Sequence, residues 1–138
     1  MGLKIDGCNC TSLRRAARRV SQLYDAKLAG AGLKATQFGI LSVLGEVGPA
    51  SIATLAAHLD MDRTTMGKNL RPLERRGLVA VVPSPADERS RMAALTQEGV
   101  AALQAGRPLW AEAHAQFEAL NGPETAAQLR ALLIALKV

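Results

Sequence analysis

The residues from Asp60 to Leu95 include the types that hold a polyanion. Arg63, Lys68 and Arg71 stand among the small residues Thr64, Thr65 and Gly67, and Arg89 and Arg91 follow the acidic pair Asp87-Glu88. Small side chains let a backbone come close to a partner, and long cationic ones reach negative oxygens from a turn or two away. A second cluster, Arg14, Arg15, Arg18 and Arg19, has no acid at i+4 and invites an anion of its own. Cys8 and Cys10 flank Asn9 as oxidisable thiols. No third Cys or nearby His completes a tetrahedral set, so no metal is expected. The sequence has no Gly-rich phosphate loop, His-Glu-x-x-His element or nucleophile elbow, and neither His58 nor His114 has a catalytic partner in sequence. Neither an enzyme nor a cofactor is expected.

At 138 residues, 49% apolar and 21% charged, the chain has the length and composition of one folded domain. Its net charge of +5 is uneven: residues 1–34 hold seven Lys/Arg against two acids, residues 60–91 seven against five, and residues 92–138 three against four. The basic surplus lies in the first part and in the Asp60–Leu95 stretch, as a nucleic-acid partner requires. Aromatic residues make up only 3%, so a ligand pocket has few stacking platforms. No apolar run of 18 residues and no signal-peptide pattern appears, which makes the cytoplasm, with reduced cysteines, the expected location.

The elements that position these residues read as helices around one hairpin. Leu13, Val20, Leu23 and Leu28 recur at helical spacing, with Thr11 or Ser12 as cap and an end near Gly30 to Gly32. Thr36 caps a second helix through Leu44, and Ser51 a third through Leu59. Asp62 caps a fourth, whose Met66, Leu70 and Leu73 form a buried side and leave Arg63, Gly67, Lys68 and Arg71 on other faces. Two short helices joined by so few residues, the second with a basic outer face, form a helix-turn-helix pattern. Pro72 predicts a kink or a separately oriented last turn. Gly77 ends that helix, and two β-rich runs with a charged tip make a hairpin. Thr96 caps a long helix to about Leu120, interrupted at Gly106-Arg107-Pro108. Asn121-Gly122-Pro123 then stops it and starts the last helix.

This order resembles the MarR family of dimeric winged helix-turn-helix transcriptional regulators over nearly the whole chain. Asp87-Glu88-Arg89-Ser90-Arg91, followed by Leu95-Thr96-Gln97-Glu98-Gly99, is similar to the family's Asp-x-Arg wing and the start of its long dimerisation helix. Met61-Asp62-Arg63-Thr64-Thr65, with Leu73-Glu74-Arg75-Arg76-Gly77-Leu78-Val79, resembles its recognition helix and the exit into the wing. The resemblance implies a mainly α fold with a small β-hairpin, in one domain spanning residues 1–138. Within it a winged helix-turn-helix over 36–95 lies between dimerisation helices at 11–30 and 96–138. It further implies a homodimer on a pseudo-palindromic operator in double-stranded DNA, usually acting as a repressor.

On that reading Thr64, Thr65, Gly67, Lys68 and Arg71, with Arg63, face a major groove about 12 Å wide. Ser51 and Arg91 meet phosphates, and Arg89 enters the minor groove, oriented by a charge-assisted pair with Asp87. Arg75 and Arg76 lie beyond Pro72. The other class that fits a winged helix, a protein-interaction module without specific DNA binding, has no use for Lys68 and Arg89.

Proteins resembling this family are usually released from DNA by an oxidant or a small molecule. Cys10 falls where the organic-hydroperoxide-sensing members carry their reactive cysteine, and Tyr24 on one of their partner tyrosines, whereas Arg14 occupies the place of another. Cys8 and Cys10, near a helix start with Arg14 one turn on, are therefore redox candidates. The second trigger is an anionic aromatic ligand, such as a phenolic acid, between the first helix and the dimerisation helices. Arg14 or Arg18 would pair with its carboxylate, and Phe38 or Trp110 would pack its ring.

Overall fold

The computed structural model describes residues 4–138. Its helices are α1 (Asn9–Leu28), α2 (Ala35–Val47), α3 (Ile52–His58), α4 (Arg63–Arg75), α5 (Gln97–Asn121) and α6 (Pro123–Ile134). Strands β1 (Ala50–Ser51), β2 (Val79–Pro83) and β3 (Arg91–Leu95) form one antiparallel sheet in the order β1-β3-β2. The hairpin pairs Val79 with Leu95 at one end and Pro83 with Arg91 at the other. The two-residue β1, too short to show a period in sequence, adds Ala50 against Ala93.

Local chemistry sets most helix starts. Ser51 Oγ accepts the Thr54 N–H at 3.1 Å, Asp62 Oδ1 that of Thr65 at 2.7 Å, and Thr96 Oγ1 that of Gly99 at 3.0 Å. Each of these three caps is the expected one. Two others differ. Helix α1 begins earlier than expected because Cys8, not Thr11 or Ser12, is its cap: the sulfur accepts the Thr11 N–H at 3.5 Å. Helix α2 starts after Lys34 rather than on Thr36. Gln37 Oε1 takes the Lys34 N–H at 3.0 Å and Asp25 Oδ1 takes the Ala35 N–H at 2.7 Å, so its first turn is tied to α1.

The two prolines leave their helices unbroken: α4 continues through Pro72 to Arg75, and α5 through Pro108 to Asn121. Pro72 removes only the N–H that would have met the carbonyl of Lys68, whose residue is exposed, and buried Leu70 and Leu73 pin the turns on either side. Gly77, at φ +73°, then closes α4, with the Leu78 N–H returning to the Leu73 carbonyl at 2.9 Å.

The core lies where α1 ends and α2, α3 and α4 meet, with Leu28, Ile40, Leu41, Leu55, Met66 and Leu73 fully buried. Helix α5 comes close enough to require glycine twice. A Cβ on Gly99 would strike the Leu78 carbonyl, and one on Gly106 would stand 2.9 Å from the Phe38 ring. At the other end, Leu120, Leu129, Leu132, Leu133 and Ile134 of α5 and α6 remain exposed. No single helix is long and apolar enough to cross a membrane.

Candidate nucleic-acid interface and effector cavity

Helix α4 divides as its spacing predicts. Met66, Leu70 and Leu73 are buried, while Arg63, Thr64, Thr65, Lys68 and Arg71 are exposed and Gly67 is half-buried with open space around it. The two threonines have different tasks. Thr65 Oγ1 donates to Asp62 Oδ2 at 2.8 Å, so that hydroxyl is tied into the cap, whereas Thr64 makes no side-chain hydrogen bond among the described residues. Those contacts from Thr65 hold the Asp62 carboxyl below its ordinary value of 3.8. Beyond Pro72, Arg76 Nη1 donates to the Gly32 carbonyl at 2.8 Å and is used in tying α4 to the α1–α2 connection.

The wing tip corrects one expectation. Asp87 does not pair with the Arg89 guanidinium: its Oδ1 accepts the Arg89 backbone N–H at 3.0 Å and its Oδ2 the Ser90 hydroxyl at 3.4 Å. The carboxylate shapes the turn, which the Ser84 N–H closes on the Ser90 carbonyl at 2.8 Å, and the guanidinium is left to other partners. Arg63, Arg89 and Arg91 line one cavity of about 260 Å³ with Ser51. The structure thus brings the start of α4 and the wing together around three cations. Ser51 itself is engaged as a cap, and its hydroxyl donates to Thr54 Oγ1 at 2.9 Å.

A larger cavity, about 610 Å³, opens between α1, α2 and α5. Phe38 and Trp110 line it as expected, with ring centroids 6.4 Å apart and planes at 22°. Arg14 and Arg18 do not. The walls that α1 supplies are Tyr24 and Leu28, so Arg18 stands about 9 Å and Arg14 about 15 Å short of Tyr24 along the helix axis. The cation in the wall is Arg107 of α5, a residue expected only within a helix break at Gly106-Arg107-Pro108. Its signal was its position three residues before Trp110 on one helix face. Arg15, placed among the unpaired arginines, bonds Asp6 at 3.0 Å.

Tyr24 and His114 form a further contact that no local motif announced. The Tyr24 hydroxyl lies 3.4 Å from His114 Nδ1, His114 Nε2 lies 3.2 Å from Glu118 Oε1, and Arg130 of α6 reaches the same oxygen at 3.5 Å. The His114 ring stacks on Trp110 at 4.9 Å. Burial pushes the Tyr24 phenol above its ordinary 10.0, with Arg130 pulling it down and Glu118 pushing it up. Tyr24 therefore belongs to the cavity wall. It is 14 residues from Cys10 on one helix, about 21 Å, so a single protomer does not bring the redox candidates together. Of the two thiols, Cys10 is exposed and Cys8 half-buried. Hydrogen bonds from Thr11 hold the Cys8 thiol below its ordinary 9.0. No group of three His, Cys, Asp or Glu able to hold a metal occurs among the described residues.

Comparison with known proteins places these features. Residues 31–90 match the profile of the MarR family. The chain is 32% identical over 96 residues to the HTH-type transcriptional repressor NicR of Pseudomonas putida, a match covering 70% of this chain and 61% of NicR. It is similar in structure to the Mycobacterium tuberculosis transcriptional regulator MosR in complex with DNA. That likeness has 38% identity and a TM-score of 0.81, covering 93% of this chain and 95% of MosR. A probable transcriptional regulator from Pseudomonas aeruginosa is 30% identical with a TM-score of 0.85, covering 97% of this chain and all of that one, 100%. A match to the family profile through the helix-turn-helix and wing, with likeness to solved regulators over almost the full length, has one meaning: the chain belongs to the MarR family of winged helix-turn-helix transcriptional regulators.

Proposed function

We propose that the protein is a homodimeric, sequence-specific DNA-binding repressor of the cytoplasm. The observation that carries this reading is the joint exposure of a basic, small-residue face on α4 and a wing arginine free of its neighbouring carboxylate. Thr64, Gly67, Lys68 and Arg71 enter the major groove, with Arg63 and Thr65 at its edge. Arg89 enters the minor groove, and Arg91 and Ser51 lie along the backbone. Residues 11–30 and 96–138 pair across a two-fold axis, which sets half-sites about 10 base pairs apart. NicR is a repressor, and MosR is seen bound to DNA, which supports both parts.

DNA affinity is controlled by a small aromatic anion in the cavity between α1, α2 and α5. The depressed Cys8 thiol favours a second control, oxidation of Cys8 or Cys10. The test is selection of bound duplexes from random DNA, repeated with Arg89→Ala. Wild type should enrich a pseudo-palindrome. Arg89→Ala should bind it at least about tenfold more weakly, the value of one lost charged contact, while sedimenting as the same dimer. Equal affinity in the variant would remove the wing from the mechanism.

A further inference from the structure

His114 stands where three helices meet. From α1 the Tyr24 hydroxyl lies 3.4 Å from its Nδ1. On α5 itself Glu118 Oε1 lies 3.2 Å from its Nε2, and from α6 Arg130 Nη1 reaches that same carboxylate oxygen at 3.5 Å. Two other charged groups of α1 and α5, Lys27 and Glu112, close on each other at 3.8 Å, and Arg107 is seven residues earlier on α5, about 11 Å along its axis. Helix α2 contributes Phe38, stacked on Trp110, and no charged side chain to the cavity wall that Tyr24 shares. These contacts fix the protons. A carboxylate only accepts, so the Nε2 that faces Glu118 carries the hydrogen of the neutral ring, Nδ1 keeps a lone pair, and the Tyr24 hydroxyl donates to it. A second ring proton makes both nitrogens donors. The Tyr24 oxygen must then accept, and its own hydrogen must turn away from His114. Burial holds the Tyr24 phenol above its ordinary 10.0, so the hydroxyl keeps its hydrogen and only the direction changes.

We propose that His114 is a proton-operated switch: uptake of one solvent proton at Nδ1 reverses the hydrogen bond with Tyr24 and turns the Tyr24 hydroxyl from an acceptor into a donor toward the cavity it lines. Glu118 favours the imidazolium, and Arg130, beyond that carboxylate, opposes it. The Trp110 ring, stacked on His114 with centroids 4.9 Å apart, adds an aromatic face that attracts a cation. The reversed bond is charge-assisted, and the Glu118 contact becomes an ion pair. By linkage, an occupant of the cavity that accepts from Tyr24 raises the proton affinity of His114, and one that donates to Tyr24 lowers it. The switch depends neither on the DNA reading nor on the identity of that occupant.

Trp110 is the only tryptophan of the chain, and an imidazolium stacked on an indole quenches its emission, so fluorescence reads the charge of His114 directly. The full chain, without DNA, is titrated through the interval of about pH 5 to 8 in which imidazoles change charge. Wild type should show one quenching transition toward acid. His114→Gln should show none, and His58→Gln should keep it. Tyr24→Phe should move the midpoint down by about half a pH unit or more, because the charge-assisted bond lost from the imidazolium outweighs the neutral bond lost from the imidazole. Glu118→Gln should lower the midpoint and Arg130→Gln should raise it, opposite signs that a merely structural role would not produce. A nitrogen-resolved NMR spectrum at the alkaline end should find the ring hydrogen of His114 on Nε2. The proposal is overturned by a wild type without the transition, by a transition that survives in His114→Gln, or by an unmoved midpoint in Tyr24→Phe. Shifts of one sign in the Glu118 and Arg130 variants, or a neutral ring with its hydrogen on Nδ1, overturn it as well. Arg130 is exposed and Glu118 half-buried, so their variants carry the test even where His114→Gln does not fold.

Discussion

On the proposed DNA-binding reading, Gly67 separates folding from recognition at a single residue. It sits on the outer side of α4 with nothing within 4 Å of an added Cβ, and its backbone is not in the left-handed region. Alanine there removes unfolded-chain freedom, so Gly67→Ala should raise stability by about 0.4–1 kcal/mol. In the groove the added methyl occupies the space that close approach needs, and operator affinity should fall. Chemical unfolding and fluorescence anisotropy on the same preparation check both signs. Unchanged affinity would mean that this face stands off the DNA.

Asp62 gives a pH signature. Its folded-state pKa is lowered beneath the ordinary 3.8 by the Thr65 hydrogen bonds. The stabilisation is therefore complete above 3.8 and is lost as pH falls through the depressed folded value. Asp62→Asn keeps a capping oxygen without the charge. The gap in unfolding midpoint between wild type and Asp62→Asn should be constant near neutrality and close in acid. A gap that does not depend on pH would assign the effect to something other than the carboxylate.

What the sequence disclosed at this scale followed distance along the chain. Ser51, Asp62 and Thr96 cap residues three positions away, and such i,i+3 chemistry is visible in a string of letters. Asp87 was placed in the right turn with the wrong partner, because its choice between the Arg89 side chain and the Arg89 backbone depends on how the turn closes. The Tyr24–His114 contact spans 90 residues and left no local mark.

Among the elements, the start of α5 is fastened closely to the end of α4 and the entry to the wing. Thr96 accepts from the Gly99 N–H and donates to the Gly77 carbonyl at 2.6 Å, and so fastens the start of α5 to the end of α4. Gly99 next to it admits no side chain against the Leu78 carbonyl. Thr96→Ala should cost about 1–2 kcal/mol, from the lost cap and the lost bond to Gly77, and Thr96→Ser should restore most of it. Urea unfolding of the three proteins decides this, and a serine variant as unstable as the alanine one would assign the loss to the methyl group. Helix periods and the hairpin were legible because burial repeats along each element. The strand β1 was not, since two residues carry no period. The place of Arg107 in the cavity wall was hidden as well: its helix face was readable, but whether that face meets α1 or α2 is a property of packing. The same packing moved the cavity to the last third of α1, away from Arg14 and Arg18.

For the whole molecule, the apolar residues exposed on α5 and α6 and the two parts proposed to read DNA belong to one reading. Leu132 is 69% exposed and Ile134 85%, more apolar surface on one helix end than a lone protomer keeps in water without a partner. In the proposed dimer, pairing those ends across a two-fold axis would cover them and double the number of recognition helices and wings. Each protomer then presents Arg63, Lys68, Arg71, Arg89 and Arg91, and a dimer that neutralises several phosphates at once must release several counterions. The most direct measurement is the anisotropy of a labelled duplex, selected by the protein from random DNA, titrated at a series of salt concentrations. The logarithm of the association constant should fall linearly with the logarithm of salt, with a slope of about −5 or steeper for six or more neutralised phosphates. Weak binding that salt leaves unchanged would contradict the claim that these residues hold DNA.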